Sequence, residues 1–289
     1  MNRRNFTRTA VGAALLPWLA SEAVAQPPIT AAPFRFSVML WTLNKYGPAE
    51  KTMEMVAQAG YTGIELVGEW HKWTDTDAAR FLARTKSLGL TIDSMAGVRG
   101  FADPTDMDAI AADVKSAIAM AQKIDCKQII MTSGKRVDVP NQHAGAIENL
   151  RHLNDLVAKA DMQIVIEPID VLENPPIYLT SVTEGFEMVR AVNSPHIRVL
   201  YDLYHEQRQA GNLIEKVEKN IDLIALFHIA DVPGRHEPGT GEIRYETIYR
   251  KMAELKYTGY VAMEFYPTGE PVASLRMARE QAIRAATRA

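Results

Sequence analysis

The chain carries one cysteine, Cys126, among 289 residues. A single thiol excludes a disulfide within the chain, and it excludes a metal site built from cysteines. A basic excess is also missing: 32 Lys and Arg face 35 Asp and Glu, a formal net charge of −3. Phosphate backbones and anionic membranes are bound through clustered cations, so this balance argues against a nucleic-acid or membrane-surface partner. Past the N-terminal segment, no apolar run reaches the ~20 residues that span a bilayer. The turn after the first apolar run, MLWTLNKYGPAE, is not the glycine-rich turn that cradles a dinucleotide.

The first 26 residues, MNRRNFTRTAVGAALLPWLASEAVAQ, read differently from the rest. Arg3 and Arg4 are adjacent, a mildly apolar stretch follows, and Ala23-Val24-Ala25 fits a small-residue cleavage site. The pattern predicts a twin-arginine export signal over residues 1–25, handled by the twin-arginine machinery, and a periplasmic mature protein. The plainer alternative is an uncleaved start in a cytoplasmic protein. The segment holds three arginines and one glutamate, so its removal leaves 29 basic and 34 acidic side chains, a net charge of −5.

Residues 26–289 alternate regularly and show no linker or low-complexity tract, which predicts a single domain. Short β-rich runs occur at Phe34–Trp41, Gly63–Val67, Thr91–Met95, Gln128–Met131, Gln163–Glu167, Ile197–Asp202, Ile224–Ile229 and Tyr260–Phe265. Patterns with a period near 3.6 fall between them, at Ala49–Ala59, Asp77–Leu88, Met107–Ile124, Glu148–Ala160, Val182–Val192, Leu213–Lys219 and Tyr245–Leu255, and from Pro271 onward. Thr74-Asp75 marks a helix start, and Ser181 with Glu184 has the spacing of a capping box. The strand runs are apolar and mostly unalternating, as in a parallel sheet covered on its outer face by helices. Strand–helix alternation on this scale predicts an α/β fold, a (β/α)8 TIM barrel; a doubly wound open sheet is the alternative.

Chemistry in such barrels sits at the C-terminal ends of the strands. Four successive runs carry a polar residue there: Glu167 in QIVIEPID, Asp202 in IRVLYDLYH, His228 in IALFHIAD and Glu264 in YVAMEFYP. A lone strand histidine is more often a satisfied core residue, and a lone strand-end glutamate more often a structural ion pair. Three converging carboxylates, however, repel unless a cation lies between them. Three oxygen donors and one imidazole suit a hard or borderline divalent ion, Mn2+, Mg2+ or Co2+. The rim supplies candidate substrate contacts: His205 beyond Asp202, Glu173 after the fifth strand, and Arg235 and His236 in the loop after His228. Arg235 has the planar fork that grips a carboxylate. His236, Glu237 and Glu242 have structural readings as well, in ordering the loop or favouring a helix start. Glu65 and Trp41 read as core or supporting residues near the pocket.

The runs IVIEPID, VLYDLYHEQ, HIADVPGRHEPGTGEI and MEFYP resemble the hydroxypyruvate isomerase family, within the wider xylose isomerase-like barrels. The resemblance extends over essentially all of residues 26–289 and implies the same barrel. It implies Glu167, Asp202, His228 and Glu264 as ligands of one divalent ion, Glu167 and Glu264 as the proton-transferring pair, and His205 and Arg235 as substrate contacts. Members of that family often have glutamine where this chain has His228, whereas ketose 3-epimerases of the wider group have histidine. The implied reaction interconverts hydroxypyruvate and tartronate semialdehyde through an enediolate. Export instead suits a larger sugar or sugar acid, epimerised or isomerised in the periplasm, or merely bound there without catalysis. Related barrels assemble as dimers or tetramers, which makes a homo-oligomer an expectation.

Overall fold

Eight short runs become strands because β-branched and large apolar residues make up most of both faces, with buried polar residues on β1 to β3 and at the strand ends. The computed structural model describes residues 32–288; the predicted export signal lies outside them. The strands are β1 (Arg35–Met39), β2 (Gly63–Val67), β3 (Thr91–Ala96), β4 (Gln128–Thr132), β5 (Gln163–Glu167), β6 (Ile197–Asp202), β7 (Ile224–Ile229) and β8 (Tyr260–Met263). They form a closed barrel in chain order, every pair parallel, with β8 returning to β1. Helices α1 (Ala49–Gln58), α2 (Asp75–Ser87), α3 (Met107–Lys123), α4 (Gln142–Lys159), α5 (Val182–Val192), α6 (Leu203–Gln209), α7 (Leu213–Asn220), α8 (Tyr245–Glu254) and α9 (Pro271–Ala286) connect and cover them. No described helix is long and apolar enough to cross a membrane.

β2, β5, β6 and β7 occupy the spans predicted for them. β1 is shorter than predicted: a 3-10 turn takes over at Leu40 and carries Trp41. β8 stops at Met263, which leaves Glu264 just past the strand. α4 starts earlier than its apolar period, at Gln142. α6 was not anticipated, and it begins directly after Asp202, whose side chain caps it by accepting from the Tyr204 and His205 amides. Thr74 and Asp77 close a reciprocal capping box on α2. Ser181 caps α5 alone, accepting from Thr183, because Glu184 turns instead to His143.

Most of the core lies between the strands and the helices. A smaller cluster fills the barrel itself: Met39, Ile130, Val165, Leu200, Leu226 and Ala262. Side chains alternate across a strand with period two. Glu167, Asp202, His228 and Glu264 therefore each follow an inward-facing residue by two positions, after Val165, Leu200, Leu226 and Ala262. Strand parity turns all four towards the barrel axis, at its C-terminal mouth. Register pairs Asp202 with His228, while Glu264 lies two residues beyond Ala262, the partner of His228.

Candidate metal centre and proton-transfer site

The four strand-end groups do converge. Glu167, Asp202, His228 and Glu264 each offer a ligand atom within 4.8 Å of the others. All four are buried, His228 completely. His228 Nδ1 lies 2.9 Å from Glu264 Oε2 and 3.8 Å from Glu167 Oε1. Asp202 divides its oxygens: Oδ1 caps α6, while Oδ2 is buried without a hydrogen-bond partner. An orphaned buried carboxylate oxygen is costly. Beside two more carboxylates and an imidazole, it fits a divalent cation that prefers oxygen with one nitrogen ligand. The residues thus fit a metal ion, with Glu167, Asp202, His228 and Glu264 as its holders.

The two glutamates sit in opposite electrostatic settings. Burial raises the Glu167 carboxyl to about 7, with Glu264 and Asp202 adding to the rise and the two nearby histidines opposing it. Burial acts on Glu264 too, but Arg235 and His228 outweigh it and hold that carboxyl well below the usual range. Every oxygen of Glu264 has a donor. Trp41 Nε1 donates to Oε1 at 3.0 Å, and an Arg235 terminal nitrogen donates to Oε2 at 2.6 Å. Burial alone would lower the His228 imidazole, yet Glu65 and Glu264 on its two sides keep it well above its ordinary value.

Arg235 closes the mouth. Its guanidinium lies between the rings of Trp41 and Tyr204, 5.4 and 5.0 Å from their centroids. Stacking of this kind is worth ~0.5–2 kcal/mol, more when water is excluded. One terminal nitrogen reaches Glu173 Oε1 at 3.1 Å, and the other comes within 3.7 Å of Asp202 Oδ2. Its backbone is left-handed, φ 56, a conformation that costs a non-glycine residue about 1 kcal/mol or more. The surrounding loop holds it there. Asp231, fully buried, accepts from the backbone amides of Val232, Gly239, Gly241 and Ile243. At Gly241 a Cβ would fall 2.0 Å from the Val232 carbonyl oxygen, so only glycine fits that close approach. Glu237 ties the loop to Thr268 and to Ser274 of α9.

The remaining rim candidates divide. His205, in the first turn of α6, is buried, with Nδ1 2.7 Å from Asp170 Oδ2 and Nε2 3.5 Å from Asp202 Oδ2. It therefore faces the four-residue cluster from the side. Glu173 bridges Arg235 and Arg208 at the surface. His236 braces the loop, with Nδ1 2.8 Å from the Tyr266 carbonyl oxygen, and it stays outside the cluster. Glu242 contacts Gln207 on the exterior. Asp170, Glu173 and His205 form a second acidic group, but Arg208 already supplies its cation, at 3.1 Å from Asp170 and 3.0 Å from Glu173.

Asp170, Arg208, Tyr204 and Asp231 were missed in the sequence. Asp170 and Asp231 did leave a local signal. Each precedes a turn, and Asp170 accepts from the amides two and three residues on, those of Leu172 and Glu173, as turn-forming aspartates do. Tyr204 and Arg208 had none, because their role depends on α6.

Comparison with known proteins gives the family and the fold. The profile of the xylose isomerase-like TIM barrel family matches residues 53–287. Hydroxypyruvate isomerase of Escherichia coli is 29% identical over 235 residues, covering 77% of this chain and 90% of that protein. 2-oxo-tetronate isomerase of Cupriavidus necator is 29% identical over 231 residues, 76% of this chain and 87% of the relative. Among solved structures, an AP endonuclease, family 2, from Brucella melitensis superposes with a TM-score of 0.77 at 27% identity, covering 83% of this chain and 96% of the other.

Proposed function

Because the chain belongs to the xylose isomerase-like TIM barrel family, we propose that it is a divalent-metal-dependent isomerase of short α-hydroxy-keto acids. The hydroxypyruvate–tartronate semialdehyde pair is the reference reaction. The observation that carries this reading is the pairing of Glu167 and Glu264. Two buried glutamates from β5 and the end of β8 meet at one cluster, and their surroundings push their proton affinities apart. Such divergence separates the group that exchanges a proton from the group that stays charged. The relatives named for hydroxypyruvate and 2-oxo-tetronate isomerisation support the substrate class.

A divalent ion held by Glu167, Asp202, His228 and Glu264, with Mn2+, Mg2+ or Co2+ best suited to the donors, supplies Lewis-acid polarisation of the substrate's carbonyl. The chain's own groups do the rest. Glu167 takes the proton from the hydroxymethyl carbon and returns one to the neighbouring carbonyl carbon. General acid–base help of this kind is worth ~10²–10⁴-fold. Glu264, kept ionised by Arg235, fixes the cluster's charge. The hydroxyl proton passes between the two substrate oxygens, and His205, oriented by Asp170, stands beside the cluster to carry it. Arg235 has donors left over for a substrate carboxylate. Trp41 and Tyr204 hold the Arg235 guanidinium against their rings.

One observation favours a second reading. His228, where hydroxypyruvate isomerases often have glutamine, matches the ketose 3-epimerases, so epimerisation of a larger ketose uses the same residues. We assign the mature chain to the periplasm on the strength of the Arg3-Arg4 segment. Proton NMR in heavy water separates the chemistries. With hydroxypyruvate, 2-oxo-tetronate and a panel of ketoses, we expect metal-dependent deuterium uptake at the carbon next to a carbonyl, abolished by chelator. Uptake at C3 of a ketose alone would replace the isomerase reading with epimerisation. No uptake with any substrate, metal present, would leave only a binding protein.

A further inference from the structure

Glu65 lies in the middle of β2 and has no exposed surface. It does not belong to the four-residue cluster. Its Oε2 comes within 3.0 Å of His228 Nε2. The other imidazole nitrogen, Nδ1, faces Glu264 and Glu167. The ring thus stands between the cluster on one side and Glu65 on the other. Neither Glu65 Oε2 nor His228 Nε2 makes a well-aligned hydrogen bond, to each other or to any further group; the 3.0 Å approach is what pairs them.

The interior beneath His228 is built for Glu65. Ser94 Oγ donates to Glu65 Oε1 at 2.8 Å. Asp93 sits against Glu65, and Ser37 Oγ donates to Asp93 Oδ2 at 3.1 Å. These polar residues come from β1, β2 and β3, whereas β4 to β8 fill the barrel with Ile130, Val165, Leu200, Leu226 and Ala262. A carboxylate is expensive to bury, and an apolar side chain at this position would extend the packed interior at no such cost. What the carboxylate adds is an acceptor for the one imidazole nitrogen that faces away from the cluster.

We propose that Glu65 is a positioning residue for the metal centre: it accepts the proton-bearing Nε2 of His228 and so presents Nδ1 as the ligand atom. A neutral imidazole has one donor nitrogen and one acceptor nitrogen, and the partner of the first decides which is the second. Carboxylates that orient a metal-bound histidine in this way raise its basicity and lock the ring, and their loss costs ~10–100-fold in affinity. The inference rests on the metal-dependent reading above.

Co2+ binding to the purified protein tests it, followed by calorimetry and by the ligand-field absorption of the bound ion. Glu65→Leu should weaken Co2+ binding about 10–100-fold and shift the absorption band. Glu65→Gln, which keeps an acceptor for Nε2–H, should recover part of that loss, as a purely space-filling role would not. A folded Glu65→Leu variant with wild-type affinity and an unchanged band overturns the proposal. If that variant does not fold, nitrogen NMR of the Zn2+-loaded wild type decides. Ligation through Nδ1 with a retained Nε2–H is expected, and ligation through Nε2 overturns it. A wild-type protein that binds neither Co2+ nor Zn2+ would remove the metal-dependent reading as well. A wild type that binds while the variants bind equally well removes this proposal alone.

Discussion

Glu167 and Glu264 are the same residue type at the same depth, and their partners make them unequal. Glu264 is saturated by Trp41, His228 and Arg235, whereas Glu167 has burial and like charges against it. Glutamine at either position should lower kcat by ~10²–10⁴-fold, because a proton-transfer or charge-holding group is lost. Stability should respond differently. Glu264→Gln leaves Arg235 buried with a broken ion pair and should destabilise the chelator-treated protein by ~3–5 kcal/mol. Glu167→Gln removes an ill-compensated carboxylate and should leave the melting temperature unchanged or raise it. Thermal melts in chelator, alongside the NMR assay, check both halves. Equal melting temperatures for the two variants would contradict this assignment of partners. These glutamates, with Asp202 and His228, were legible in the sequence because each interrupts an apolar run at a strand end. Asp170 was not, because its value lies in a 2.7 Å contact with His205, a residue 35 positions away.

The loop from Asp231 to Ile243 shows how an element without regular structure is made rigid. Asp231 gathers four backbone amides, and Glu237 fastens the loop to the segment after β8. Burial raises the Glu237 carboxyl, but hydrogen bonds from its own amide, from Thr268 and from Ser274 outweigh this and hold it below 4.5. A depressed folded-state value means that the stabilisation is fully present above the unfolded value, about 4.5, and is lost as pH falls through the folded value. The wild type should therefore lose stability on acidification below about pH 4.5. Glu237→Gln should be less stable at pH 7 and lose less over that acid window, as denaturant titrations at several pH values would show. An unchanged acid limb would mean that Glu237 does not set it. The apolar pattern could not reveal α6, a short helix whose start depends on the Asp202 cap. Nor could it show that β1 ends before Trp41, which a 3-10 turn places against Glu264.

At the scale of the whole molecule, closure of the barrel brings the end of the chain back to its beginning. β8 pairs with β1 from Arg35 to Val38, so removal of residues 1–25 leaves every described strand pair intact. Twin-arginine export carries folded proteins, and a barrel that is already closed can load its cation before crossing. We expect the mature protein in the periplasm to begin at Gln26. Replacing Arg3 and Arg4 together with lysine should keep an unprocessed chain in the cytoplasm. Fractionation with N-terminal sequencing checks this; wild-type protein starting at Met1 in the cytoplasm would end the export proposal.

The sequence by itself determined the architecture and the four strand-end residues. Apolar periodicity is a local property, and a polar residue that ends an apolar strand stands out wherever the strand packs. Tertiary structure alone decided the rest. Which glutamate pairs with Arg235, which nitrogen of His228 faces the cluster, and that Glu65 stands behind that imidazole all depend on contacts between strands distant in the chain. Those contacts exist only after parallel strands close into a barrel and burial removes the water that would otherwise screen each charge from its neighbours.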